Sequence, residues 1–394
     1  MSYFLNLGNL GGNLSMQIDH EFELFRDNFK RFLAEYVAPF YESWEENGLI
    51  PRELWHQLGE NGFLCVDVAE EYGGYGAPVH YSLMLVQETA QAGFTSLAVA
   101  MGGQSELVSP YIQNIGTEAQ KKYWLPKMVS GEVVTAIAMT EANAGSDLQA
   151  IRTQAILKDD YYCVDGSKTF ISNGQHADLI VLVAKTDPHA RAKGMSILLV
   201  DAHLEGVKKG RLLKKIGLHA QDTAELFFDQ VRVPQDQLLG QEGQGFAYLM
   251  QELPRERLSI SMMALGSILG AIQITTQYVK ERKAFGQYLS QMQNTRFVLA
   301  QAQIKANAAQ AFVKQCADLY HQKQLNVTQV AALKCFITDT QCEIMDQLLQ
   351  LFGGYGYMQE YPISRFFVDA RVQKIYGGSN EIMKEIVARE LLGK

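Results

Sequence analysis

The hydrophobic pattern changes twice along the chain and divides it into three regions. From Ile18 to about Val134, apolar residues recur every three or four positions, the spacing of an amphipathic helix. The first such stripe consists of Phe22, Leu24, Phe25, Phe29, Phe32 and Leu33. From Thr135 to Leu239 the period falls to two, or to short apolar runs between turn residues, which predicts strands. From Gly243 the helical period returns and continues to the end of the chain.

The pattern therefore predicts an α+β fold: an all-helical domain at residues 1–134, a β domain at 135–240 and a helical bundle at 241–394. Strands are expected at Tyr161–Asp165, Leu179–Ala184, Ser196–Val200 and Ala224–Val233. The connections between them are too short for helical crossovers, so we expect mostly antiparallel pairing.

Two apolar faces mark the helices of the last region. The first face consists of Leu258, Met262, Leu265 and Leu269, and the second begins with Phe297, Ala300, Gln301 and Ile304. A final helix is predicted from about Asn380 to Leu392.

Composition narrows the class of protein. Of the 394 residues, 47% are hydrophobic and 20% are charged, which excludes a disordered or fibrous chain. There are 35 Lys and Arg against 43 Asp and Glu, and a net charge of −8 argues against nucleic acid or an anionic membrane as partner. The five cysteines are scattered without a CxxC pair, as in a reduced intracellular protein. The N-terminus lacks the pattern of a secretion signal, and no 18-residue apolar run occurs, so we expect a cytoplasmic protein.

Several common catalytic motifs are absent from the sequence. The glycine clusters lack GxGxxG spacing, and there is no Walker A, GxSxG or HExxH motif. The eight histidines are isolated, so neither a metal site nor a Ser-His-Asp site is expected.

Polar, glycine-bearing segments remain in the second and third regions and at the boundary between the first two. They are Met139–Asp147, Gly166–Gly174, Leu253–Leu258, Arg282–Gln287, Gln350–Tyr357 and Ile375–Ile382. Taken alone, each is compatible with a surface turn, a hairpin or ordinary helix capping. Pro254 suits a first helical turn, which would place Glu256 and Arg257 at a helix N-terminus. The joint occurrence of all these segments is much harder to explain by local structure.

Taken in order, these segments resemble the acyl-CoA dehydrogenase family from about Ile18 to Lys394. AMTEANAGSD, GSKTFISNG, IGLHAQDTAELFFDQVRVP, ERKAFGQ, QLFGGYGY and IYGGSNEIMKEIVAREL stand in the order and spacing of that family. The resemblance implies a helical domain, a middle antiparallel β-barrel-like domain and a C-terminal four-helix bundle. It also implies FAD-dependent oxidation of an acyl-CoA to the trans-2-enoyl-CoA, as in fatty-acid degradation, with a carboxylate removing the α proton and hydride leaving to flavin N5.

The resemblance also indicates which carboxylate acts as base. Many members carry it in an IYEG-type motif, but that position is Gly377 here. The long-chain and isovaleryl branches carry it as the Glu of an ER pair, and this sequence has Glu256-Arg257 in LPRERL, most like the long-chain branch. Glu256 is therefore the predicted base, Arg257 is expected to orient nearby loops, and Gly377 offers its N–H to the thioester carbonyl.

The remaining site residues carry over by position. The resemblance assigns the isoalloxazine ring to Ile137, Met139, Thr140, Gly145, Ser146, Phe170, Ile171 and Ser172. It assigns the pyrophosphate and adenine end of FAD to Arg282, Gln293, Gln350, Gly353 and Gly354. Ser379, Asn380 and Glu381 are expected to complete the flavin pocket. Substrate contacts are expected from Ser146, Pro254, Arg255, Arg257, Gly377 and Gly378. Since some cofactor residues come from a neighbouring subunit in the family, a homo-oligomer is expected, usually a tetramer, with electron-transferring flavoprotein as electron acceptor.

Two alternatives to a dehydrogenase stay open within this resemblance, and so does the length of the acyl chain. An acyl-CoA oxidase or flavin monooxygenase of the same superfamily would pass electrons to oxygen, and a non-catalytic acyl-CoA-binding or flavin-binding relic would explain Gly377 but not Glu256. Medium, long or branched acyl chains are all compatible with a base on the helix. The small residues of Ala98–Gly103 suggest a roomy acyl pocket.

Overall fold

The computed structural model describes residues 20–393. The start of the helical pattern at Ile18 and the N-terminal segment judged not to be a secretion signal lie outside these residues. The first helices are α1 (His20–Phe32), α2 (Tyr41–Asn47), α3 (Arg52–Glu60), α4 (Val79–Gln91), α5 (Thr95–Gly102), α6 (Ser109–Ile115) and α7 (Glu118–Val129). Phe29 and Phe32 of α1 are buried against Phe63. Leu24 of the predicted stripe is instead half exposed, since it lies beside the buried face.

The middle region contains eight strands that form one sheet. They are β1 (Thr135–Ala138), β2 (Gln154–Lys158), β3 (Tyr161–Ser172), β4 (Leu179–Lys185), β5 (Met195–Asp201), β6 (Val207–Leu212), β7 (Thr223–Pro234) and β8 (Leu238–Leu239). Their order is β6-β7-β3-β2-β4-β5-β8, with β1 paired to β4. Every residue of β4 is buried, because this strand lies inside the sheet.

The expectation of an antiparallel, barrel-like domain is corrected by this topology. Most pairs are antiparallel, but β1 runs parallel to β4 from Thr135 opposite Leu179, and β2 meets β4 in parallel at Gln154 and Lys185. The sheet is therefore mixed, and β6 and β8 are its two ends. A parallel pair needs a crossover, and here the β2–β3 hairpin lies within it. The short connections in the sequence exclude a crossover through a helix, but they do not exclude one through a hairpin.

The last region is helical, apart from the short ribbon of β9 (Lys283–Ala284) and β10 (Gln287–Tyr288). Its helices are α8 (Gly245–Glu281), α9 (Gln293–His321), α10 (Val327–Phe352), α11 (Pro362–Ala370) and α12 (Asn380–Leu391). Their core includes Val79 and Leu83 of α4, so α8 packs against both the first helical region and the bundle.

Helix α8 is 37 residues long and passes a length-and-composition test for a membrane span, but 78% of the apolar window is buried inside the protein. The helix therefore has the burial of a core helix.

The prediction that Phe297 and Ile304 belong to an apolar face packed in the bundle is wrong for the single chain. Phe297 and Ile304 of α9 are 63% and 61% exposed, whereas the buried side of the helix carries Ala302, Ala306 and Ala309. The small residues face the bundle because they allow the helix backbones to approach closely. Phe297 and Ile304 are left on the outer surface.

Candidate active site

Glu256 lies inside α8, about three turns after the first residue of the helix. Its Oε2 atom is shielded from solvent and has no hydrogen-bond partner among the described residues. Burial raises the pKa of this carboxyl to about 7, while the charges of Arg257 and Lys334 oppose the rise. A carboxyl with such a pKa can exchange a proton near neutral pH.

The predicted helix N-terminus at Pro254 is wrong. The chain is already helical from Gly245, so Pro254 is an interior proline and Glu256 is far from the first turn. The helix dipole acts over the first and last turns only, and it therefore contributes little here. Burial and two neighbouring cations set the protonation of Glu256 instead.

The turn at Gly377 and Gly378 lies directly beside this carboxyl. Both glycines have positive φ, +65° and +88°. A Cβ atom on Gly377 would lie 3.6 Å from Oε1 of Glu256 and only 2.3 Å from Cδ1 of Ile260. The turn therefore excludes a side chain at position 377, and Glu256 fills the space beside it.

Two buried cations bind the carbonyl groups of this turn. Nε of Arg257 donates to the Gly377 oxygen at 3.2 Å. Nζ of Lys334, from α10, donates to the Gly378 oxygen at 2.8 Å. Both side chains are almost completely buried. Because the contacts come from different helices, the turn is fixed against both.

Arg255 was predicted to contact substrate, and the structure corrects this. Its guanidinium is buried and pairs with Asp67 at 2.6 Å and Glu106 at 3.1 Å. A further N–H donates to the Ser105 carbonyl at 3.4 Å. These contacts join α8 to the first helical region, and they bind the guanidinium within the protein interior.

The predicted flavin loop after β1 is tied to β3 by a buried ion pair. Nζ of Lys168 lies 2.9 Å from Oε1 of Glu141 and also donates to the Met139 carbonyl at 2.9 Å. Glu141 in turn accepts the main-chain N–H groups of Arg152 and Thr153. Thr169 N–H donates to the Thr140 carbonyl. The loop is thus held against the sheet at its start.

The predicted isoalloxazine residues differ in exposure. Phe170 is 67% exposed with φ of +59°, at a register shift between β3 and β7. Such a bulge turns a side chain out of the strand pattern and leaves its ring open to a ligand. Gly145 and Ser146 are exposed, and Ile137, Met139, Thr140 and Ser172 are partly exposed. The side chain of Ile171 is buried in the core of the sheet, so only its main chain is left for the predicted contact.

Four residues predicted to hold the far end of the cofactor line one cavity. The cavity measures about 520 Å³, and Arg282, Gln350, Gly353 and Gly354 belong to its wall. A Cβ on either glycine would meet nothing within 4 Å, so the main chain is open to an approaching group. Gln293 begins α9 and is exposed, but it is not in the wall. None of the residues between 137 and 172 lines this cavity.

The predicted residues Ser379, Asn380 and Glu381 begin α12. Ser379 Oγ accepts the N–H of Ile382 and caps the helix. A main-chain hydrogen bond is the largest cause that lowers the pKa of Glu381, which is exposed. Asn380 was predicted to contact the cofactor, but its side chain is buried and hydrogen-bonded to Thr338 and Asp339.

Sequence reasoning missed three residues of this region: Lys168, Lys334 and Tyr111. A lysine within the apolar stretch VAALKCF was the available signal for Lys334. Tyr111 of α6 is buried, and its hydroxyl has no hydrogen-bond partner among the described residues. Burial and, to a lesser extent, the charge of Glu256 raise the pKa of Tyr111. Its sequence context, SPYIQN, has no feature that distinguishes it from a core tyrosine.

A helical domain, a mixed sheet and a helical bundle around a buried carboxyl are the layout of a flavin-dependent acyl-CoA enzyme. Comparison with known proteins supports the same class of enzyme. Three family models match in order: the acyl-CoA dehydrogenase N-terminal domain at residues 19–132, middle domain at 136–231 and C-terminal domain at 243–392. The chain belongs to the acyl-CoA dehydrogenase family.

Individual relatives resemble it over nearly their whole length. The long-chain specific acyl-CoA dehydrogenase, mitochondrial, of Sus scrofa is 43% identical over 94% of this chain and 86% of its own. An acyl-CoA dehydrogenase structure from Geobacillus kaustophilus has a TM-score of 0.93 at 46% identity, covering 95% of this chain and 99% of its own. A glutaryl-CoA dehydrogenase from Mycobacterium smegmatis in complex with FADH2 has a TM-score of 0.89 at 25% identity, covering 95% of both chains. The protein is an oxidoreductase that acts on acyl-CoA, and FAD is the cofactor of its family.

Proposed function

We propose that this protein dehydrogenates a medium-chain, long-chain or branched acyl-CoA at the α and β carbons, with Glu256 as the base. The observation that carries the proposal is the buried Oε2 of Glu256, which has no partner among the described residues and lies beside the glycine turn. A buried polar atom without a partner is costly, and a site that receives a substrate offers a reason for it. A proton from the substrate α carbon would go to this carboxylate.

The glycine turn supports the same assignment. Since position 377 has no side chain, its main-chain N–H is accessible for a hydrogen bond to the thioester carbonyl oxygen. Such a donor stabilises the negative charge that develops as the α proton leaves. Arg257 and Lys334 would keep the turn in place during this step.

The residues present fit an extended dinucleotide such as FAD. The open main chain at Gly353 and Gly354 and the guanidinium of Arg282 suit the phosphate-bearing end, while the exposed Phe170 suits the ring. When bound, FAD supplies the acceptor for the hydride from the β carbon. The two sets of residues do not line one cavity in the single chain, which supports an oligomer, with a tetramer expected, in which subunits share the cofactor.

Electron-transferring flavoprotein is the proposed acceptor, and the oxygen-using alternatives remain the second candidate. Anaerobic reduction by a panel of saturated and branched acyl-CoAs, followed by admission of air, separates them. We expect flavin bleaching with the preferred substrate, slow reoxidation in air, and rapid reoxidation by electron-transferring flavoprotein. Rapid reoxidation by oxygen would assign the protein to the oxidases, and no bleaching by any acyl-CoA would leave a binding protein.

Substitution Glu256→Gln tests the base directly. We expect the variant to bind FAD and to lose flavin reduction by about a thousandfold, because an amide cannot accept the α proton. The measurement is stopped-flow reduction with FAD content as control. Turnover at the wild-type rate would refute the assignment.

A further inference from the structure

Lys334 is a buried cation on α10, and its surroundings hold the ammonium group in one place. The residue has no measurable exposure. Nζ donates to the Gly378 carbonyl at 2.8 Å and to Oδ1 of Asn380 at 3.0 Å. A lysine without solvent needs such partners, because burial of an unpaired charge is very costly.

Asn380 is itself fixed, so its contact with Lys334 is directional. Its Nδ2 donates to Oγ1 of Thr338 and to Oδ1 of Asp339, each at 3.0 Å. Asp339 is paired with Lys374 at 2.6 Å. A chain of hydrogen bonds thus runs from the surface of the bundle to the ammonium group behind the glycine turn.

The glycine turn has little conformational preference of its own. Both glycines adopt positive φ without the strain that a Cβ would bring, and they can adopt many other conformations. The two consecutive carbonyls are bound by Arg257 and Lys334, from α8 and α10. These contacts select one conformation of the turn and keep it beside Glu256.

We propose that Lys334 is a positioning residue of the active site, which holds the Gly377–Gly378 turn from the bundle side and supplies a buried positive charge behind Glu256. The proposal rests on the function proposed above, in which Glu256 is the base. It adds to Arg257 a second, independent cation, and it gives the buried lysine a role in the chemistry.

The charges that act on Glu256 define what the loss of Lys334 would do. Arg257 and Lys334 favour the carboxylate, while Tyr111 of α6 and Tyr376 before α12 are the neutral titratable groups that sense its charge. Burial lowers the pKa of Lys334 to about 8, so the group is mainly charged at pH 7. Removal of that charge leaves Arg257 alone and makes Glu256 easier to protonate.

The test compares Lys334→Met, Lys334→Gln and the surface control Lys314→Met, each with bound FAD. Flavin reduction by the preferred acyl-CoA is measured across pH. We expect the acid limb to move upward by about one pH unit in both Lys334 variants, a loss of about fivefold at pH 7 and less than about twofold at pH 9 for Lys334→Gln. Lys334→Met also lowers the alkaline plateau, because only glutamine can still donate to the Gly378 carbonyl. Lys314→Met is expected to match wild type.

A purely structural lysine gives a different result. Lower reduction by the same factor at every pH, with an unmoved acid limb, would overturn the proposal. If Lys334→Met does not accumulate as a FAD-bound protein, Lys334→Gln carries the test alone, since it keeps a donor. Failure of the wild type to be reduced by any acyl-CoA would refute the proposed function, whereas a reducible wild type with unshifted variants would refute the role of Lys334 only.

Discussion

At the scale of single residues, the proposed chemistry depends on a carboxyl group, Glu256, whose protonation is set by opposing influences. Burial favours the neutral form of Glu256, and Arg257 and Lys334 favour the anion. The balance places the pKa near 7, where the group is partly ionised and still basic enough to take a proton. A fully solvated glutamate would be ionised but a weaker base.

The pH dependence of the wild-type enzyme follows from this balance. If Glu256 is the base, as proposed, only its carboxylate form accepts the α proton, so the rate is expected to fall as the pH drops through about 7. We expect kcat/KM for acyl-CoA to fall about tenfold for each pH unit below that point. An acid limb near the ordinary pKa of glutamate would show that solvent reaches Glu256 in the working enzyme.

Lys168 and Glu141 form another buried charge pair, which holds the predicted flavin loop. Both side chains are almost fully shielded from solvent. Burial lowers the pKa of Lys168 to about 8, although Glu141 opposes the effect. Removal of one partner would leave the other charge buried and unpaired.

We therefore expect Lys168→Met to lower the free energy of unfolding by about 3–5 kcal/mol, and the double variant Lys168→Met/Glu141→Gln to recover part of that loss. Denaturant unfolding of the FAD-free proteins measures both. A loss in the double variant equal to the sum of the losses of Lys168→Met and Glu141→Gln measured separately would mean that the pair is not coupled.

At the scale of elements, α8 and the glycine turn together place the proposed base, Glu256. Pro254 stands inside α8, where it has no N–H to bond with the Met250 carbonyl four residues earlier. The turn approaches the helix so closely that a Cβ on Gly377 would overlap the Ile260 side chain. A base carried on the turn would compete for the space that Glu256 occupies.

Gly377→Ala tests this close approach. The added methyl meets Ile260 in a backbone conformation that alanine rarely adopts, so we expect a loss of about 1–3 kcal/mol of stability, with lower kcat/KM. Thermal unfolding is the measurement. The matched control is Gly76→Ala, where φ is also positive, +57°, but the Cβ meets nothing within 4 Å, so a smaller loss of stability is expected. Identical unfolding of the two variants would contradict the packing described here.

At the scale of the whole molecule, the outer face of α9 is the feature that the single chain does not explain. Phe297 and Ile304 are both more than half exposed, one above the other on the same helix. Large apolar residues grouped on a surface often mark an interface between subunits. The same helix begins at Gln293, which is predicted to reach the cofactor.

We expect Phe297→Asp/Ile304→Asp to reduce the molar mass measured by light scattering and to lower the FAD content of the purified protein. A charge on each residue is costly to bury between subunits. Leu24→Asp serves as control, since Leu24 is half exposed on α1. Unchanged mass in the double variant would place the subunit interface elsewhere.

The candidate site was only partly predictable from sequence. Glu256 could be singled out because the resemblance supplied the ER pair, and the helical period of its segment was clear. Arg255 stands next to it with the same local signals, yet its guanidinium pairs with Asp67 and Glu106, which are 188 and 149 positions away. Pairing over such separations leaves no trace in local sequence, and the start of α8 at Gly245 was hidden for a related reason, because an interior proline looks like a first-turn proline.

The sequence by itself determined the order of helical and β regions, the positions of four of the eight strands of the sheet, and the family. Periodicity records which face of each element is buried, and short motifs record local chemistry. Only the tertiary structure decided that β1 runs parallel to β4, that Phe297 faces outward and that Lys334 binds the glycine turn beside Glu256. Each of these depends on which distant elements come into contact, and that contact sets burial, desolvation and charge together.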